Sequence, residues 1–173
     1  MHSQGNANSA AGDGALLTQP PQQAQTPASD RFNYDPHNPV PTLGGAIIGG
    51  LNVPGMRAGP MDQAAIESRQ DVLVYTSQPL EQDMEISGPV TLKLFASTSA
   101  VDTDFTAKLT HVREDGTSIN LCECLLRVSG RNFKGVPELT VPGEVYELTL
   151  GVGQTSVVIG QGQNMHPYDL PVM

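Results

Sequence analysis

The sequence contains no tryptophan, and aromatic residues make up only 5% of its 173 positions. Basic residues are also scarce. Nine Lys and Arg stand against eighteen Asp and Glu, so the formal net charge is −9. Because nucleic acids and anionic membrane surfaces are held by basic patches, this charge argues against both as partners. We interpret the excess of acidic residues as a contribution to solubility.

Cysteine is rare as well, with only Cys122 and Cys124 in the chain. Residues two apart in a strand point to the same side, in a geometry that disfavours an intrachain disulfide. A Cys-x-Cys pair without a neighbouring His also falls short of the roughly four ligands that zinc takes. The pair is therefore predicted to be two buried free thiols, and no metal or cofactor is expected.

Long apolar runs are missing, since none approaches the roughly 20 residues of a membrane-spanning helix. The first residues, 1–8, lack the basic and apolar regions of a secretory signal peptide. These absences predict a chain outside the membrane, and a cytoplasmic location is the expectation.

Catalytic motifs are missing too. The sequence has no Gly-x-Ser-x-Gly elbow, no Gly-x-Gly-x-x-Gly and no phosphate-binding loop. Its four histidines are scattered through the chain at His2, His37, His111 and His166. We therefore assign no catalytic residue.

What the chain does have is proline and glycine, with 14 and 18 residues respectively. Their distribution predicts four parts. Residues 1–30 form an extended, flexible low-complexity segment and residues 31–70 a wrapping segment rich in Pro and Gly. Residues 71–160 form a β-sandwich, and residues 161–173 an irregular tail.

The sandwich is predicted from alternating hydrophobicity, which is typical of strands with one buried face. The alternation is cleanest in residues 88–109, where two apolar sets flank a hydroxyl-rich connection at 97–103. These sets are Val90, Leu92, Leu94 and Ala96, and then Phe105, Ala107 and Leu109. Further strands are expected at 71–77, 84–87, 118–128, 144–150 and 156–159, with one helical turn within 64–70. About seven short strands predict an all-β sandwich, in which 118–128 is central because its end is apolar on both faces.

Three polar or flexible features have candidate roles. Asp102 and Asp104 could bind calcium or accept backbone N–H bonds in a turn, and their surroundings favour the turn. Arg69 and Asp71 could form a structural ion pair. The segment 43–50 carries apolar residues between glycines, and either folds over its own sandwich or packs on a partner.

Several segments together resemble the C-terminal, non-catalytic domain of the X-Pro dipeptidyl-peptidase and cocaine esterase (CocE/NonD) group of serine hydrolases. They are Met1–Ser9 with Gly12–Leu16, Asp30–Pro36, Pro39–Gly45, Gly59–Gln63, Asp71–Ser77, Gly88–Val90, Ser99–Leu109 and Pro142–Tyr146. The resemblance implies a jelly-roll sandwich of the galactose-binding-like kind. It also implies a partner in cis, an α/β-hydrolase domain that carries the catalytic triad and whose active-site entrance the sandwich supports.

In that light, the contact with the catalytic domain is expected at Pro41, Leu43, Gly44, Gly45, Ile47 and Ile48. The family pattern continues upstream of Met1, so the chain is expected to be a fragment or to start late. After Gly160 the family's last strands are replaced by the predicted tail, which would leave a sheet edge unpaired.

The leading hypothesis is thus an accessory domain that is inactive alone. The alternatives are a carbohydrate-binding module, which the few aromatic residues disfavour, and a degenerate product that scarcely folds.

Overall fold

The computed structural model describes residues 1–19, 28–47, 57–133 and 135–172, the last five by their backbone only. These residues are built mainly of strands that belong to three small sheets. In chain order the elements are β1 (Ala15–Leu16), α1 (Ala64–Glu67), β2 (Leu73–Val74), β3 (Thr76–Ser77), β4 (Met84–Ala96), β5 (Asp104–Val112), β6 (Ser118–Arg127), a 3₁₀ turn (Val128–Gly130), β7 (Tyr146–Ile159) and β8 (Asn164–Val172). The all-β sandwich predicted from the alternating patterns is confirmed, and so is the single helical turn within 64–70.

One layer of the sandwich is an antiparallel ladder between β4 and β7, running from the pair Met84–Ile159 to the pair Ala96–Tyr146. Each of these strands joins two runs that were predicted as separate strands. The register shifts at Val90, opposite Gly153, whose φ of +136° is accessible mainly to glycine. A bulge therefore lets both strands continue through positions where the sequence pattern is interrupted.

The other layer is a sheet in the order β2–β8–β5–β6, which makes β5 an interior strand. The prediction that 118–128 is central is wrong, because β6 lies at the edge of this sheet as far as the structure describes it. Its apolar residues on both faces do not mean burial on both faces. Leu126 packs against the core, whereas Leu125 on the opposite face is 56% exposed.

The predicted irregular tail is also wrong, since β8 pairs with β5 from Asn164 to Val172. Pro167 and Pro171 do not interrupt this ladder. The carbonyl of Pro167 accepts the Tyr75 N–H on the side away from β5, and the missing N–H of an antiparallel strand residue points to that same side. Pro171 lies four residues further along the strand, so its missing N–H points to the same side. β8 thus pairs with the edge of β5 that would otherwise have no partner strand.

The core fills the space between the two layers. On β5 the predicted inward set is confirmed, with Phe105, Ala107 and Leu109 all buried. They face the buried β7 side chains Leu148, Leu150 and Val152. Neither cysteine forms a disulfide, as predicted, but the predicted burial holds only for Cys122, which lies in this core, because Cys124 is half-buried. Burial raises the pKa of the Cys122 thiol, which disfavours the reactive thiolate.

The N-terminal segment, residues 1–30, differs from the predicted flexible chain over the parts that the structure describes, residues 1–19 and 28–30. β1 pairs in parallel with β3, and Ala7 is completely buried. Asp30 anchors the segment from the side, because its carboxylate accepts bonds from the Ala7 N–H and the Ser3 hydroxyl. Composition alone missed this, since the stabilising partners lie far along the chain. The boundaries of the four predicted parts remain a prediction.

A second, smaller core lies beneath the wrapping segment and consists of Ile66, Val72 and Val74. Val40 and Leu43 pack against it from the irregular chain. The described part of the wrapping segment is therefore held by its own small apolar core, and the same region contains the site described below.

Within the described residues, no helix has the length and apolar character needed to cross a bilayer.

The predicted ion pair between Arg69 and Asp71 is present and bidentate, with N–O distances of 2.8 and 2.6 Å. Arg69 also donates to the Asn38 carbonyl at 2.8 Å, so it ties the wrapping segment to the start of β2. Hydrogen bonding to the guanidinium is the main cause that lowers the pKa of Asp71. The side chains are 21% and 17% exposed, so water screens this pair less than it screens a fully exposed pair.

We expect Asp71→Asn to lower the free energy of unfolding at neutral pH by about 1.5–3 kcal/mol, since it removes charged hydrogen bonds. The folded-state pKa of Asp71 lies below its unfolded value of about 3.9. The contribution is therefore complete above that value and is lost as the pH falls through the folded-state pKa. Urea unfolding measured from neutral to acidic pH should show that the difference in free energy of unfolding between wild type and Asp71→Asn decreases as the pH falls. The control is Glu85→Gln, at an exposed position on β4, whose free energy of unfolding should stay close to that of wild type at every pH.

Candidate interdomain contact site

The predicted contact segment lies against the outer face of β5. This face was expected to be the polar, solvent side of the strand, yet its residues Asp104, Thr106, Lys108 and Thr110 are all buried. The backbones of Gly45 and Gly59 pair with each other in this region. The outer face of β5 is thus a second, polar interior.

Lys108 is the centre of this interior, with a side chain only 3% exposed. Its ammonium lies 2.9 Å from Oε2 of Glu123 on β6 and donates to Oε1 of Gln63 at 3.2 Å. The other end of the Gln63 amide donates to the carbonyls of Leu43 and Met61, at 2.8 and 3.0 Å. A buried charge thereby fixes the contact segment on the sheet, because a lysine buried here needs both the carboxylate and the amide.

Two glycines allow the segment to approach this closely. Gly44 and Gly45 have φ values of +70° and +86°, which other residues adopt with strain. A Cβ on Gly44 would lie 2.4 Å from the Gly59 carbonyl oxygen, and one on Gly45 would lie 2.0 Å from Oε1 of Glu123. The pair is needed for backbone geometry and close packing within the domain.

The structure separates the six predicted contact residues into three groups. Leu43 and Gly44 face inward, where Leu43 packs on the smaller core and Gly44 is buried. Pro41 is exposed, and Gly45 and Ile47 are half-buried. Ile48 lies outside the described residues. The two interpretations of the segment are therefore compatible, because it folds over its own sandwich and still presents part of its surface.

A further polar cluster was not predicted, because its members come from four separate parts of the chain. The carboxylate of Glu67 is 3% exposed and lies within hydrogen-bonding distance of the hydroxyls of Ser118 and Thr110, at 2.6 and 3.1 Å. Nδ1 of His166 is 3.5 Å from its other oxygen. Here the carboxylate lies between the hydroxyl and the imidazole, whereas a nucleophilic triad places the imidazole in the middle. The cluster fastens α1 to β5 and β6, whereas Nδ1 of His166 on β8 has no hydrogen-bond partner among the described residues.

Asp102 and Asp104 take different roles. Asp102 accepts the backbone N–H groups of Thr103 and Ser129 at 3.0 Å each, which confirms its predicted role in a turn. Asp104 instead forms a bidentate pair with Arg127, directly opposite on β6. Its assignment to the turn was wrong, since the cross-strand register that creates this pair is invisible in local spacing. Hydrogen bonding to Asp104 is the main cause that raises the pKa of Arg127.

Comparison with protein families decides what this sandwich is. Residues 3–166 match the model of the X-Pro dipeptidyl-peptidase C-terminal non-catalytic domain. The chain belongs to this family. The X-Pro dipeptidyl-peptidase C-terminal domain thus covers both the sandwich and the N-terminal segment that packs on it. The family resemblance read from the sequence segments is confirmed.

A curated relative agrees with this assignment. The chain is 40% identical over 163 residues to the cocaine esterase of Rhodococcus sp. (strain MB1 Bresler). The aligned region is 93% of this chain but only 27% of the esterase. The X-Pro dipeptidyl-peptidase C-terminal domain described here therefore spans about a quarter of the length of that relative.

Solved structures show the same relation. An aminopeptidase from a marine sediment Thaumarchaeota archaeon superposes with a TM-score of 0.70 at 25% identity, covering 82% of this chain and 25% of the aminopeptidase. An α-amino acid ester hydrolase gives a TM-score of 0.62 at 21% identity, covering 65% of this chain and 20% of the hydrolase. A CocE/NonD family hydrolase from Staphylococcus aureus gives a TM-score of 0.54 at 17% identity, covering 65% of this chain and 24% of the hydrolase. The last two support the fold alone.

Proposed function

We propose that this domain supports an α/β-hydrolase catalytic domain of the serine type, helps to wall its active-site entrance, and has no hydrolytic activity by itself. The observation that carries the proposal is the match of residues 3–166 to a domain described as non-catalytic. The 40% identity to part of an esterase also supports the proposal. The parent activity would be the hydrolysis of esters or of X-Pro peptide bonds.

The contact with the catalytic domain is proposed to run through the exposed side of the 41–47 segment. Pro41 and Ala46 are exposed there, and Ile47 is half-buried. The segment is pre-organised, because Gln63, Lys108 and Glu123 hold it from beneath. A surface that is ordered before binding loses less conformational entropy when it docks, which favours a stable contact between domains.

A chimera tests this contact. The matching C-terminal part of the Rhodococcus cocaine esterase is replaced by this chain, and ester hydrolysis and thermal stability are measured. We expect the chimera to hydrolyse esters. The double variant Pro41→Asp and Ile47→Asp should reduce its activity about tenfold, because it places unpaired carboxylates in the contact.

The control for the chimera is Val158→Asp on the outer face of β7, where Val158 is 59% exposed. This variant should leave the chimera unchanged. The double variant must also be melted in the isolated domain. An equal loss of stability in the isolated domain and in the chimera would show that the segment matters only for its own fold, and would contradict the proposed contact.

The absence of intrinsic activity is tested on the purified chain with aminoacyl-proline and ester chromogenic substrates. We expect no turnover above the rate of a buffer blank. Turnover that is abolished by a serine-hydrolase inhibitor and persists through repurification would overturn this part of the proposal. A cooperative melting transition in the same sample would establish that the tested chain is folded.

A further inference from the structure

The two layers of the sandwich do not meet completely, and a cavity of about 210 Å³ lies between them. Val90, Leu92 and Leu94 of β4 line one side, and Ala107 and Leu109 of β5 line the other. The β4 side chains are only half-buried, although they point into the sandwich. This part of the core is therefore underfilled, in contrast to the interior packing density of most domains.

Among the described residues that line the cavity, none offers a polar side-chain group to its interior. Thr91 belongs to the lining, but its side chain is on the exposed face of β4. Lys108 also belongs to the lining, but its ammonium is held by Glu123 and Gln63 on the outer face of the sheet. The hydroxyl of Tyr75 donates to Asp30 at 2.9 Å. A water molecule inside would lack the two to four partners that it needs.

We propose that this cavity binds a small hydrocarbon group, the size of one benzene ring, between the β4–β7 layer and β5. An apolar cavity of about 150 Å³ is large enough to hold benzene, so the volume here suffices. Met1 also lines the cavity and is 45% exposed. The proposal concerns the interior of the sandwich and does not depend on the docking role proposed above.

Benzene and phenol are the probes for this site, with binding to the full chain followed by NMR of the methyl groups. Benzene should bind saturably and shift the methyl signals of Val90, Leu109 and Val152. Phenol, of nearly the same shape, should bind at least tenfold more weakly, because its hydroxyl would be buried without a partner. Equal affinity for the two probes would overturn the assignment of a dry apolar site.

Filling variants complete the test. Val90→Phe puts a ring into the cavity and should weaken benzene binding at least tenfold while raising the thermal midpoint without ligand. Val158→Phe adds the same atoms on the exposed face of β7 and should change neither quantity. If Val90→Phe does not fold, Ala107→Val fills the cavity from β5 instead. A folded filling variant that binds benzene as the wild type does would overturn the proposal.

Discussion

Glu123→Ala is expected to lower the free energy of unfolding by about 3–5 kcal/mol, because it leaves the Lys108 ammonium buried without its carboxylate. The lysine side chain is 3% exposed, and the carboxylate lies 2.9 Å away. The Gln63 amide oxygen, at 3.2 Å, would remain as a neutral partner. Urea unfolding followed by circular dichroism measures the loss, provided that the slope of the transition is unchanged.

The chain contains a matched control for this experiment. Lys93 and Glu147 also form a cross-strand pair, at 3.2 Å, but their side chains are 70% and 50% exposed. Glu147→Ala should cost less than about 1 kcal/mol, because water screens and solvates both charges. Similar losses for the two variants would contradict the structural account of Lys108. A double replacement, Lys108→Met with Glu123→Leu, should recover most of the stability, since no charge is then left unpaired.

Much of the sandwich was predictable because its information is local. The alternation of Val90, Leu92 and Leu94 places these side chains on one face whatever the rest of the chain does. The same reasoning identified the inward residues of β5. Strand ends were less predictable, since a bulge at Val90 and Gly153 joined runs that look separate in the sequence.

The outer face of β5 could not be predicted in this way. Lys108 and Thr110 have the alternation expected of a solvent-exposed face, yet chain more than 40 residues away covers them. Nothing in the local spacing indicates that Gln63 and Glu67 will lie there. The family resemblance singled out the contact segment for its expected role toward the catalytic domain, but it did not reveal that the segment is held by a buried charge.

β8 illustrates the same limit. Its prolines and polar residues predict an irregular tail, because proline cannot donate to a ladder. The prediction failed because the missing N–H of Pro167 faces away from β5. Whether a proline interrupts a ladder depends on which neighbouring strand its missing N–H would face, and here that is the side of the short strand β2, where Pro167 accepts a bond from Tyr75.

Gly14→Ala is expected to lower the free energy of unfolding by about 1–3 kcal/mol, the cost of overpacking a site that cannot relax. A Cβ at this position would lie 2.0 Å from the carbonyl oxygen of Val74 and 3.0 Å from the Cβ of Ala7. The main chain has little freedom to move away, because the Gly14 carbonyl accepts the Thr76 N–H at 3.0 Å. The clash would separate β1 from β3 or distort β2, and thermal and urea unfolding would both report it.

The control is Gly130→Ala in the 3₁₀ turn, where a Cβ would meet no heavy atom within 4 Å. It should be neutral or stabilise the domain by up to about 1 kcal/mol, because alanine restricts the unfolded chain. The comparison decides whether the N-terminal segment belongs to the cooperative unit. If Gly14→Ala costs no more than the control, residues 1–16 unfold separately from the sandwich, and the complete burial of Ala7 contributes nothing to its stability.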